Sequence, residues 1–243
     1  MTDAEKLIKI AENEKKVYDA GKQAEYDRFW DNHPTGKGVA IVGDSLFSGP
    51  SWNDITFKPK RDIILQDSAY MMFRNCAITD LPKSLNECGV KLDLSRVSIF
   101  YHTWYQTKTT HIGEIPLTLV GIDAYSSSMC FGSTNLHTID KIIVIESTLI
   151  HASAFSGCTS LANIAFEGVI GTSLALGDCP LTKASVLNIF EHYSTTKTRL
   201  TLTLNLNAVN KAFETSDGAL DGSSSDEFTA LKATRPNLAI AYR

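Results

Sequence analysis

Gly43-Asp44-Ser45-Leu46 follows an apolar run, Val39-Ala40-Ile41-Val42, and residues in that order can do chemistry. A short buried strand that ends in a sharp turn presents its next side chain at the edge of a sheet. A serine placed there can serve as a nucleophile. It needs a histidine to take its proton and a carboxylate to orient that histidine. The chain has six histidines: His33, His102, His111, His137, His151 and His192. The residues three places before them are Trp30, Ile99, Lys108, Thr134, Thr148 and Ile189, none of them acidic.

The serine block resembles the first motif of the GDSL (SGNH) esterases, which implies Ser45 as nucleophile and an Asp-x-x-His pair near the C-terminus. That pair is missing. An oxyanion hole would draw on Gly and Gly-x-Asn-Asp blocks well separated along the chain. Ser51-Trp52-Asn53-Asp54 supplies Asn-Asp without the glycine and lies close behind Ser45. Alternating strands and helices, which such a hydrolase needs, are not expected over residues 70–180. Ser45 therefore reads as a turn residue with Asp44 as its local cap, and an esterase using Ser45 is the third reading of the chain.

Other chemistry-bearing groups are sparse. Cys76, Cys88, Cys130, Cys158 and Cys179 are odd in number and show neither a Cys-x-x-Cys nor a zinc-like Cys/His spacing. They are expected to be buried, reduced thiols, with no metal and no cofactor. The acidic, Gly/Ser-rich stretch from Ser216 to Glu227 lacks the alternating oxygen ligands of a calcium loop. It reads as a loop leading to a helix capped by Ser225 or Asp226. Ile99-Phe100-Tyr101-His102-Thr103-Trp104-Tyr105-Gln106 is the densest aromatic run. Exposed Tyr and Trp give rigid contact area with a polar handle. Tyr101, Trp104 and Tyr105 are therefore the candidate binding residues, although some rings of the run must be core. No paired carboxylates accompany them, so no glycosidase site is expected.

Bulk properties narrow the partners. The 243 residues carry a net charge of −4, with 43% hydrophobic and 21% charged residues. Those are the proportions of an ordinary folded protein with a substantial core. No basic block points to nucleic acid. No apolar run reaches the roughly 18 residues of a membrane span, and the first residues lack the apolar region of a secretory signal.

The elements that would position these groups fall into three regions. Residues 1–36 form an N-terminal helix over 2–31, ended by Asn32-His33-Pro34-Thr35-Gly36. Its apolar positions are Leu7, Ile8, Ala11, Val17, Tyr18, Ala24, Tyr26 and Phe29. The stripe suits an oligomerisation or attachment helix, or one packed on its own chain. Residues 37–180 lose long amphipathic patterns. Four segments there, at 71–85, 103–117, 129–145 and 153–169, share an aromatic, small polar residues and a paired aliphatic. The closest two, Phe131…Leu136-x-x-Ile139 and Phe155…Leu161-x-x-Ile164, repeat at about 25 residues. Residues 181–243 read as helix to Tyr193, strand 199–204, helices 207–213 and 226–233, and strand 237–242.

Ser153-Ala-Phe-Ser-Gly-Cys-Thr-Ser-Leu-Ala-Asn-Ile164 resembles the BspA-like leucine-rich repeat. The likeness implies that Cys76 and Cys158 are small side chains stacked inside a coil. The last region, together with Ala24-Glu-Tyr-Asp-Arg-Phe-Trp-Asp-Asn32 and Ser51-Trp-Asn-Asp-Ile-Thr-Phe-Lys-Pro-Lys60, resembles repeat proteins of bacteriophages and prophages. The expected fold is α+β: a short β-rich leucine-rich-repeat solenoid with an N-terminal helix and a C-terminal α/β capping region. The expected role is non-enzymatic, in a phage tail, baseplate or decoration. Expected partners are other virion proteins, further copies of the chain, and a host-surface glycan or protein. The particle would be assembled in the host cytoplasm. The alternative is a bacterial cell-surface adhesin with the same repeats.

Overall fold

The computed structural model describes residues 59–60, 62–76, 78–120, 127, 130–214 and 225–243, the backbone of 39–41, and positions 9, 12, 13, 16, 17, 20, 21, 23 and 24. Ser45, its Asp44 neighbour and residues 215–224 lie outside this set. The positions between 9 and 24 are helical, and Val17 is 74% exposed there.

Nine strands are present among the described residues, and every pairing between them is parallel. They are β1 (Val39–Ile41), β2 (Ile63–Ser68), β3 (Leu92–Ile99), β4 (His111–Pro116), β5 (Thr138–Val144), β6 (Asn163–Gly168), β7 (Leu174–Leu176), β8 (Leu200–Leu204) and β9 (Leu238–Tyr242). They make three separate three-stranded sheets, β1-β2-β3, β4-β5-β6 and β7-β8-β9. Among the described residues, four further helices connect or flank them: α1 (Leu81–Cys88), α2 (Lys183–His192), α3 (Leu206–Ala212) and α4 (Asp226–Ala233).

This arrangement is α/β and overturns the expected β-rich leucine-rich-repeat solenoid. The strands do not join into one continuous sheet, and the reason is visible at both flanks of the middle one. At β6, α2 lies where another strand would pair. Ser185 Oγ accepts the Ile164 N–H at 2.9 Å, and Asn188 Oδ1 accepts the Phe166 N–H at 2.6 Å. Helix side chains thus satisfy an edge that a strand would otherwise need. At β4, α1 packs alongside, with Pro82 3.3 Å from where a Cβ on Gly113 would be.

Local chemistry accounts for the helices. Asp80 caps α1 by accepting the Lys83 N–H at 2.9 Å, and Gly89 closes it in the left-handed conformation, φ 65°. Thr182, Asn205 and Ser225 cap α2, α3 and α4 in the same manner. In β8, Leu200, Leu202 and Leu204 alternate inward while Thr201 and Thr203 face out. Gly168 ends β6 at φ 94°, where a Cβ would fall 1.9 Å from the Val144 carbonyl oxygen. Only glycine lets the ends of β5 and β6 approach this closely.

One hydrophobic core runs from Ile63 to Phe228 through all three sheets. Its centre is a column of stacked rings from the turns that follow β2, β3, β4 and β5. Phe73 stacks on Trp104 at 6.0 Å, Trp104 on Phe131 at 5.6 Å, and Phe131 on Phe155 at 5.0 Å, all within 14° of parallel. Beside it, Thr107 and Thr109 bond each other and the carbonyls of Cys76 and Ile78, so the buried hydroxyls are satisfied. The four buried cysteines belong to this interior. Burial raises the Cys130 thiol well above its ordinary value, as expected for inert packing residues.

Candidate binding surface

The aromatic run of residues 99–106 divides between two environments. Ala69, Met71, Phe73 and Asn75 donate their N–H groups to Ile99, Tyr101, Thr103 and Tyr105, so the turns after β2 and β3 run side by side. Thr103 Oγ1 ties them further by donating to the Ala69 carbonyl at 2.9 Å. Met71, Asn75, His102 and Gln106 all adopt positive φ. These left-handed residues curl each turn tightly, which sends Phe100, Thr103 and Trp104 inward and Tyr101, His102 and Tyr105 outward.

Of the three candidate binding residues, Trp104 is therefore a core residue, 0% exposed, while Tyr101 and Tyr105 remain half exposed. The Trp104 indole N–H is enclosed with no acceptor among the described residues, at a cost of about 1–3 kcal/mol. That cost is offset by ring contacts on both faces.

The outward groups form a second stack. Tyr70 lies 5.3 Å from Tyr101 with the rings 8° apart, Tyr101 4.0 Å from His102, and His102 4.7 Å from Tyr105. The Arg74 guanidinium sits 5.5 Å over the Tyr105 ring. Gly132 makes room for Tyr105, since a Cβ there would come within 3.0 Å of its ring. The hydroxyls of Tyr70, Tyr101 and Tyr105 make no hydrogen bond to a described residue. Their faces cover one another, so the row turns ring edges and hydroxyls outward. Arg74 has no ion-pair partner among the described residues; its Nη1 reaches the Met71 Sδ at 3.4 Å. Enclosure and the Arg74 charge both lower the His102 pKa, which keeps the imidazole neutral at pH 7.

Tyr70, Arg74 and His102 are missing from the sequence-derived candidates. The signal for them is the parallel register itself, which aligns Tyr70 with Tyr101 across two distant segments. No spacing within either segment reveals it.

Two further groups of polar residues resolve differently. His151 Nδ1 lies 2.7 Å from Ser153 Oγ and 3.1 Å from the Ser153 N. Both flank a cavity of about 290 Å³ that also touches Asp178 and Arg243. Asp178 accepts the Gly157 N–H at 3.0 Å and pairs with Arg243 at 3.0 Å. That carboxylate is committed elsewhere, and the His-Ser contact is a local turn. On the middle sheet, His111 bridges Asp140 at 2.8 Å and Asp80 at 3.3 Å, while Lys141 bridges Glu167 at 2.8 Å and Glu114 at 3.1 Å. Among the described residues, no group of His, Cys, Asp and Glu is arranged to hold a metal, and no helix is long and apolar enough to cross a membrane.

Burial opposes charging of His111, but the hydrogen bonds to Asp140 and Asp80 outweigh it and raise its pKa. The folded value then exceeds the unfolded one, so the contribution is complete below about pH 6.5 and fades as pH rises through the folded pKa. His111→Gln is expected to destabilise the protein more at about pH 6 than at about pH 8.5. At this partly exposed site the difference is under about 1 kcal/mol. Urea unfolding at the two pH values checks it; an equal cost at both would remove the charged bridge.

No known protein family, no curated protein and no solved structure matches the chain.

Proposed function

We propose that this chain is a non-catalytic binding component of a bacteriophage particle, in the tail, baseplate or surface decoration. It contacts its partner through the row Tyr70, Tyr101, His102 and Tyr105. The observation that carries the binding role is that row, half exposed, stacked into a fixed shape, and with its hydroxyls uncommitted among the described residues. A rigid stack loses little side-chain entropy on binding and offers amphipathic rings with polar edges. The particle assignment is supported by the phage-type resemblance of Ala24–Asn32 and Ser51–Lys60. The N-terminal helical stretch serves as the attachment device, and the particle forms in the host cytoplasm.

Fluorescently labelled full-length chain is expected to adsorb to intact bacteria of a susceptible strain. Tyr101→Ala is expected to weaken adsorption by about tenfold, the equivalent of one lost anchor. Unchanged adsorption, or none to any strain across a broad panel, contradicts the reading. For the attachment role, deleting residues 1–31 is expected to lower the solution mass from an oligomer to a single folded chain. An identical mass by light scattering before and after deletion rules that role out.

A further inference from the structure

We infer that the outer row receives an acidic glycan, a polysaccharide whose carboxylate groups are taken by Arg74. This rests on the reading of the row as the contact surface. It adds the chemical class of the ligand.

Arg74 is a permanent cation with its donors in a planar fork that matches a carboxylate. It is half-buried in the turn after β2, with its guanidinium over the Tyr105 ring at 5.5 Å and Nη1 3.4 Å from the Met71 sulfur. No carboxylate of a described residue approaches it. Several charges elsewhere on the described surface face opposite charges, Asp80 and Asp140 with His111, Glu114 and Glu167 with Lys141, and Asp178 with Arg243, whereas Arg74 faces the Tyr105 ring at the end of the row. Arg74 Nε and the adjacent His102 Nδ1 are likewise without hydrogen-bond partners among the described residues. Those two nitrogens are enclosed, so what the cluster presents to a ligand is the terminal end of the Arg74 guanidinium.

The rest of the row selects the kind of anion carrier. Ring faces in Tyr70-Tyr101-His102-Tyr105 are spent on each other. A partner protein that docks by laying apolar anchors on aromatic faces finds few of them here. A chain of sugar hydroxyls finds a line of phenol hydroxyls, each able to donate and accept. A carboxylate on that chain then meets Arg74 at the end of the line, beside Tyr105.

The test is calorimetric titration of the full-length chain with oligogalacturonate, with its methyl ester, and with poly-glutamate, at low salt where exposed charge pairing is least screened. The acid form is expected to bind, and the methyl ester to bind at least about tenfold more weakly. Arg74→Ala is expected to lose about tenfold or more of the acid-form affinity. Arg74→Lys, which keeps charge without the fork, should fall between the two. The thermal melt of Arg74→Lys should match the parent, and that of Arg74→Ala should fall only modestly, since Arg74 holds no ion pair to a described residue but packs on the Tyr105 ring and the Met71 sulfur. If Arg74→Ala fails to fold, Arg74→Lys alone carries the comparison. Equal binding of acid and ester, undiminished affinity in the Arg74 variants, or no binding of the acid oligomer overturns the inference. Poly-glutamate binding as tightly through Arg74 overturns the glycan assignment in favour of an acidic protein partner. Cells that are bound through Tyr101 but without dependence on Arg74 sink this inference alone. Failure to bind cells at all sinks the contact surface as well.

Discussion

Trp104→Ala is expected to destabilise the protein by about 3–5 kcal/mol. Against a total stability of about 5–15 kcal/mol, that brings the fold close to failure at room temperature. The indole touches Phe73, Phe100 and Phe131, and no part of it reaches solvent. Removing it leaves a cavity in the middle of the ring column and strips one face from the rings on either side. Backbone bonds on both sides of Trp104, its own N–H to the Cys130 carbonyl at 2.8 Å and Phe73 to Thr103 at 2.9 Å, restrain collapse into the gap. Trp104→Phe keeps a ring in the column and removes the enclosed, unpaired indole N–H, so it should cost much less than alanine. Tyr101→Ala, three residues away but on the outer row, should cost under about 1.5 kcal/mol, in line with a half-exposed position. Urea denaturation of the three variants checks the ordering. Equal losses in Trp104→Ala and Tyr101→Ala would erase the distinction between inner column and outer row.

Leu161→Asp is expected to abolish cooperative unfolding. Leu161 is fully buried just before β6, and its N–H is held by the Cys158 carbonyl at 3.1 Å. A carboxylate there is surrounded by the core side chains of the middle sheet and has no cation within it. Burying an unpaired charge costs more than about 4 kcal/mol even after relaxation. The single continuous core makes the loss global, because no separate core in the described residues can hold the rest of the fold. Leu161→Met, similar in volume, should cost under about 1.5 kcal/mol. A differential scanning trace in which Leu161→Asp melts like the parent would contradict the placement of Leu161 in the core.

Much of the secondary structure was legible because its signals are local. Thr182, Asn205 and Ser225 stand where helix caps are expected, and Leu-Thr-Leu-Thr-Leu over 200–204 alternates as a half-buried strand must. Helix α1 carries equally plain punctuation, Asp80 before it, Pro82 in its first turn and Gly89 after it. Those signals compete with the aromatic and aliphatic spacing of 71–85, which reads as a unit of a repeated strand pattern. That spacing reports which residues are buried, not which strands pair. Whether β6 meets a strand or a helix depends on Ser185 and Asn188, whose hydrogen bonds to β6 leave no trace in periodicity.

The candidate binding surface was half legible for a similar reason. An aromatic run with no clean period does not say which rings face in. Left-handed turns at His102 and Gln106 decide it, and non-glycine residues rarely announce that conformation. Arg74 was silent altogether, since its meaning comes from Tyr105 and His102 on a neighbouring turn. The same register also separates the two kinds of ring, one column buried in the core and one row turned outward.

The most direct measurement of that division is a triple variant, Tyr70→Phe, Tyr101→Phe and Tyr105→Phe, compared with the parent for both melting and adsorption to bacterial cells. Phenylalanine preserves the stack and removes only three hydroxyls that have no partner among the described residues. An unchanged melting temperature with adsorption lowered by about tenfold or more is expected, since each hydroxyl contributes to binding and none to folding. Adsorption equal to that of the parent, with the stack intact, would contradict the row as the contact surface.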